Sequence, residues 1–251
     1  MSEVWAALPG PAGKLAVYVA TGQAAQVPTR AVVICHGFPV ERDAAARTGR
    51  SFPALADRLA AESGWLVVAG CLRGAGPSEG DFSLDGWLAD LGALVDHAVT
   101  LGGGGVWIVG FGSTGSLALC LADLDPRVGG VACLGSTATF ADWAQDLAGM
   151  LDFSRQVGVI RTPGYPEDRV AWGAPFGTVR PDESAARIGP RPVLVVHGTD
   201  DESVPVSDAR TLADAVGPSA ELRLLVGAGH RLRADPRAIA LVIGWLERQG
   251  P

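Results

Sequence analysis

The chain predicts a single α/β domain of 251 residues, built on a mostly parallel twisted sheet of about eight strands with helices on both faces. Three observations carry this. From about residue 30 onward, short apolar runs alternate with amphipathic stretches, the pattern of strands that must be covered on both sides. Hydrophobic residues make up 48% of the chain, enough for a large buried core. No linker-like polar stretch and no internal repeat divides it, so residues 1–251 are read as one domain.

The elements follow in order. Val4 to Leu8 and Lys14 to Ala20, separated by Pro-Gly-Pro-Ala-Gly, read as an antiparallel hairpin on the sheet edge. Ala31 to Cys35 is a buried strand, Phe52 to Ala61 a helix and Trp65 to Ala69 the next strand. Leu84 to Val99 places Trp87, Leu88, Leu91, Leu94 and Val95 three and four apart, on one helical face. Val106 to Val109 is a strand feeding a helix that begins near Ser113. Val128 to Leu134, Pro192 to His197 and Leu222 to Val226 are further strands. Val206 to Val216 and Pro236 to Arg248 are the closing helices. The stretch 138–185 is too long for an ordinary connection and is read as a lid or cap insertion. Its aromatic and apolar residues, Phe140, Trp143, Leu147, Met150, Leu151, Phe153 and Trp172, either roof an apolar pocket or pack the insertion's own small core.

Composition excludes several functions. A net charge of -7, one lysine (Lys14) and singly scattered arginines leave no basic stripe, which argues against nucleic acid as a partner. The apolar runs are about half the roughly 20 residues needed to span a bilayer, and Met-Ser-Glu-Val-Trp lacks the basic start of a signal peptide. The expectation is a cytoplasmic protein without a membrane role. Cys35, Cys71, Cys120 and Cys133 lie in apolar segments without ligand spacing, so they read as buried free thiols and no metal site is expected.

The informative segment is Gly110-Phe111-Gly112-Ser113-Thr114-Gly115, where a strand passes through a tight turn into a helix. Around it, four motifs occur in an order that resembles the α/β-hydrolase superfamily over most of the chain. These are His36-Gly37-Phe38-Pro39, Arg73-Gly74-Ala75-Gly76-Pro77-Ser78-Glu79-Gly80, His197-Gly198-Thr199-Asp200-Asp201-Glu202-Ser203-Val204-Pro205 and Gly227-Ala228-Gly229-His230. The resemblance implies an oxyanion donor at the Phe38 N–H. It implies an acid at Asp201, with Asp200 as the fallback, and a catalytic base at His230. His36 and His197 read as structural residues of their turns, and the Arg73 turn as a structural loop beside the site.

The elbow departs from Gly-x-Ser-x-Gly and allows two registers. If Gly110 is the first motif glycine, the nucleophile slot holds Gly112, a residue that enters strained backbone at little steric cost. If Ser113 is the nucleophile, Phe111 falls where a small residue is normally required. Ser113 also reads simply as the cap of the following helix. The resemblance therefore implies hydrolysis of a small ester or related acyl substrate, with Ser113, His230 and Asp201 as catalytic residues. The N–H groups of Phe38 and of Ser113 or Thr114 would hold the oxyanion, and Phe111, Phe140, Trp143 and Met150 would line the pocket. The alternative is a nucleophile-less protein with Gly112 at the apex, acting through a His230/Asp201 acid-base pair or only binding a ligand. In either case the expected partner is a small molecule, and no cofactor is expected.

Overall fold

The computed structural model describes residues 5–22, 30–102 and 104–250. Eight strands form one sheet in the order β1-β2-β4-β3-β5-β6-β7-β8. They are β1 (Ala6–Gly10), β2 (Gly13–Ala20), β3 (Ala31–Cys35), β4 (Leu66–Cys71), β5 (Val106–Phe111), β6 (Val128–Leu134), β7 (Val193–Gly198) and β8 (Ala220–Leu225). The first two pair antiparallel, β2 joins β4 antiparallel, and every pairing from β4 through β3 to β8 is parallel. The edge hairpin is thus present, although Val4, where its first strand was expected to start, lies outside the described residues.

Both faces of the central strands are covered, which is why they read as continuous apolar runs rather than as alternation. Along β3, Ala31, Val33 and Cys35 enter one core with α2 (Leu84–Thr100), α3 (Ser113–Leu124) and α8 (Val206–Val216). Val32 and Ile34 enter the other, with α1 (Phe52–Ser63) and α9 (Pro236–Arg248). Period-two alternation therefore still operates, but it divides apolar residues between two cores.

The stretch 138–185 folds into four short helices: α4 (Ala141–Gln145), α5 (Leu147–Val157), α6 (Arg169–Thr178) and α7 (Pro181–Ala185). Asp146 and Asp168 cap α5 and α6, accepting the N–H of Gly149 and those of Val170 and Ala171 respectively. Phe140 and Phe176 are fully buried, and the indole of Trp172 donates to the Phe82 carbonyl at 2.9 Å, so the insertion is pinned to the sheet's own core. Among the described residues no helix is long and apolar enough to cross a membrane.

Candidate active site

The site lies where parallel sheets place their ligands, beyond the carboxyl ends of the strands. Four turns meet there: His36 to Pro39 after β3, Gly112 after β5, Asp200 to Pro205 after β7 and Gly227 to His230 after β8.

The elbow register is set by packing. A Cβ on Gly110 would lie 2.4 Å from the backbone nitrogen of Gly115 and 2.5 Å from its Cα, so strand and helix approach too closely for any side chain. Phe111 points elsewhere, packing edge-on against Phe52 with ring centroids 5.8 Å apart. Gly112 then stands alone at the turn with φ 57 and ψ -131, a left-handed conformation that glycine adopts readily. A Cβ built there would sit 3.7 Å from His230 Nε2, in ordinary contact, so a hydroxyl one bond further would be within reach of the imidazole. Gly112 is the residue that faces His230.

Ser113 is the first residue of α3, with Gly112 in the capping position, so the expectation that Ser113 caps the helix is corrected. Its Oγ accepts the Phe38 N–H at 3.0 Å, and among the described residues it makes no hydrogen bond to His230. The hydroxyl thus sits on the backbone donor that the resemblance assigns to an oxyanion. Thr114 is fully buried, and its hydroxyl donates to the His36 carbonyl.

Asp201 and His230 come together. His230 Nδ1 lies 2.9 Å from Asp201 Oδ2, while Oδ1 accepts the N–H groups of Ser203 and Val204, each at 2.9 Å. The carboxylate side chain is fully buried. Burial alone would raise its pKa, but the bonds from His230 and the two N–H groups outweigh that and hold it below the ordinary value. Asp201 can only accept, so the His230 proton resides on Nδ1 and the bare lone pair of Nε2 faces Gly112. Asp200, the fallback acid, bonds Thr199 instead.

His197 contributes more than its His-Gly turn suggested. Its Nε2 lies 3.0 Å from the Val204 carbonyl and 3.4 Å from Asp201 Oδ2. A carbonyl accepts only, so Nε2 carries the proton and presents it to the carboxylate as well. The four cysteines are buried and unpaired, and burial pushes the Cys71 thiol up to about 12 and Cys120 to about 11, far from nucleophilic. Among the described residues no group of three His, Cys, Asp or Glu side chains could hold a metal ion.

Gly112, Ser113 and His230 open into a cavity of about 490 Å³ lined also by Phe38, Val40, Trp143, Met150, Phe153, Val204 and Pro205. Trp143 and Met150 border this space. Phe140 does not, because it is fully buried against Trp143, and Phe111 borders a second, adjacent cavity. The insertion's aromatics divide between the cavity wall, with Trp143 and Phe153, and the core, with Phe140, Trp172 and Phe176.

Searches of family profiles and of curated proteins find no match to the sequence. Solved structures do match. Est1E from Butyrivibrio proteoclasticus is 18% identical, over 98% of this chain and 96% of that one, with a TM-score of 0.72. A mutant of the meta-cleavage product hydrolase CumD from Pseudomonas fluorescens IP01, complexed with acetates, is 19% identical over 99% of both chains, with a TM-score of 0.68. The chain has the α/β-hydrolase fold. The esterase domain of a Rhodothermus marinus protein has the same α/β-hydrolase fold, at 17% identity and a TM-score of 0.70 over 98% of this chain and 96% of that one.

Proposed function

We propose that the chain is an acid-base enzyme on the α/β-hydrolase fold, hydrolysing a small reactive acyl compound without a covalent intermediate. His230 Nε2 takes a proton from water as the water oxygen bonds to the acyl carbon, and later returns that proton to the leaving group. Asp201 holds the imidazole in one tautomer and stabilises the cation formed. The developing oxyanion is met by the Ser113 N–H and by the Ser113 hydroxyl, which stands on the Phe38 N–H. The Ser113 hydroxyl already accepts from Phe38, so its own proton is free to donate to the ligand. Helices α4 and α5 act as the lid over the apolar end of the ligand.

The observation that carries this reading is a bare imidazole nitrogen facing a residue without a side chain. The vacated space beside Nε2 suits a water molecule or a ligand oxygen. Ser113 is read as a donor rather than a nucleophile because its Oγ is engaged at Phe38. Positioned proton transfer supplies about 10²- to 10⁴-fold, which suffices for a reactive substrate.

The test uses 4-nitrophenyl acetate. Steady turnover without a stoichiometric burst is expected in the wild type, abolished in His230→Gln and retained within about tenfold in Ser113→Ala. Turnover that survives in His230→Gln, or that disappears in Ser113→Ala, would contradict the reading.

A further inference from the structure

Gly112 and His230 border two cavities of opposite electrical character. The larger, under α4 and α5, carries Asp142, Asp146 and Asp208 on its wall and no lysine or arginine among its lining residues. The second, of about 330 Å³, is lined by Arg47, Arg231 and Arg233, with Glu41 as the only carboxylate among the described residues there. In a chain of net charge -7, this reverses the prevailing sign beside the reacting centre.

The cations there are incompletely neutralised. Arg231 pairs with Glu41, and Arg47 is 4.0 Å from the same carboxylate. Arg233 makes no ion pair among the described residues; it donates to Ser51 Oγ, and its guanidinium lies over the Phe52 ring, 5.5 Å from the centroid. Burial, and then repulsion from Arg231, pull the Arg233 pKa below its usual value. His36, which also lines this cavity, is held neutral chiefly by burial, with the Arg233 charge opposing its protonation. In each case burial is the main cause, and a neighbouring guanidinium adds the smaller repulsive part.

We propose that this second cavity is an anion subsite, and that the compound handled at Gly112 and His230 carries a carboxylate or phosphate group seated between Arg47 and Arg233. This names the substrate class of the proposed acid-base centre and rests on that reading. Three guanidinium groups against one carboxylate leave a net charge of about +2, and a guanidinium fork matches carboxylate and phosphate oxygens in a bidentate manner. The acidic wall of the larger cavity repels an anion. A ligand with one anionic and one apolar end is thereby oriented, its charged end among the arginines and its apolar end beside Phe38, Trp143 and Met150.

Three matched probes test this by calorimetry at low ionic strength: 3-phenylpropanoate, phenyl phosphate and the neutral 3-phenylpropanamide. The wild type is expected to bind at least one anion about tenfold more tightly than the amide. A double variant Arg47→Gln/Arg233→Gln should lose that preference while keeping its affinity for the amide. Arg233→Lys, which retains the charge, should keep most of the preference and so separates charge from lost packing on Phe52. His230→Gln should bind the anions as the wild type does, so that failure of the acid-base reading and failure of the subsite are told apart. Anions that bind no better than the amide, or a preference that survives the double variant, would overturn the proposal.

Discussion

His36 makes the fold acid-sensitive in a calculable way. Its ring is buried beside Trp87 and Phe52, with Nε2 accepting the Leu72 N–H at 3.0 Å and Nδ1 donating to the Gly37 carbonyl at 2.9 Å. A second proton, on Nε2, would set one donor against another. Burial lowers the pKa from 6.5 to about 4, aided by Arg233 and opposed by the Gly37 carbonyl. The unfolded chain therefore binds a proton near pH 6.5 that the folded chain refuses until about pH 4. The stability contributed by neutral His36 is complete above the unfolded value and falls away as the pH drops through this window. The full difference is about 3 kcal/mol, of which about 2 kcal/mol is lost between pH 7 and pH 5. Urea unfolding of wild type and His36→Gln at those two pH values reads it directly. Glutamine can still accept from Leu72 but does not titrate, so the variant should lose about 2 kcal/mol less than the wild type over that interval. Equal losses in the two proteins would refute the argument.

Two further outcomes concern the frame of the site. Arg73 grips the buried Asp90 through its backbone N–H at 2.8 Å, Nε at 2.9 Å and Nη2 at 2.7 Å. Arg73→Met strands that carboxylate and should cost about 3 to 5 kcal/mol in denaturant unfolding, whereas a cost below about 1 kcal/mol would mean that the pair is not the anchor of its turn. Gly110→Ala drives a methyl group into the Gly115 backbone and should destabilise by about 3 kcal/mol or more, while Gly112→Ala meets only ordinary contacts and should cost about 1 to 2 kcal/mol of backbone strain. Similar unfolding midpoints for the two alanine variants would place the close approach elsewhere.

Most of the architecture was legible because sheet strands buried on both faces are short, continuous and apolar. Ala31 to Cys35, Val128 to Leu134, Val206 to Val216 and Pro236 to Arg248 coincide with observed elements. β5 runs on to Phe111, past the expected end at Val109, because Gly110 and Phe111 continue the ladder opposite Cys133 and Leu134. The edge strand β8 is displaced toward its start, since it is only half covered and Val226 is exposed. The insertion's helices were hidden by breakers such as Gly173 and Pro175, and by aromatics whose burial is against the main core.

At the site, the motif order placed Asp201, His230 and Phe38 in the turns that converge. The elbow register was open in the sequence because both readings are single-residue shifts, and it is set by the close approach of Gly110 to Gly115. Two features carried little sequence signal. His197 looks like any His-Gly turn until the fold sets its Nε2 beside Asp201. The arginine cluster draws on residue 47 and on residues 231 and 233, far apart in the chain, and only the spacing Arg231-Leu232-Arg233 directly after His230 hinted at it.

The residue at the apex decides the chemistry, and covalent labelling with a fluorophosphonate followed by intact-mass and peptide analysis addresses it directly. The wild type should remain unlabelled, and Gly112→Ser should gain one adduct at position 112 that requires His230. A wild-type adduct at Ser113, lost in Ser113→Ala, would contradict the acid-base reading.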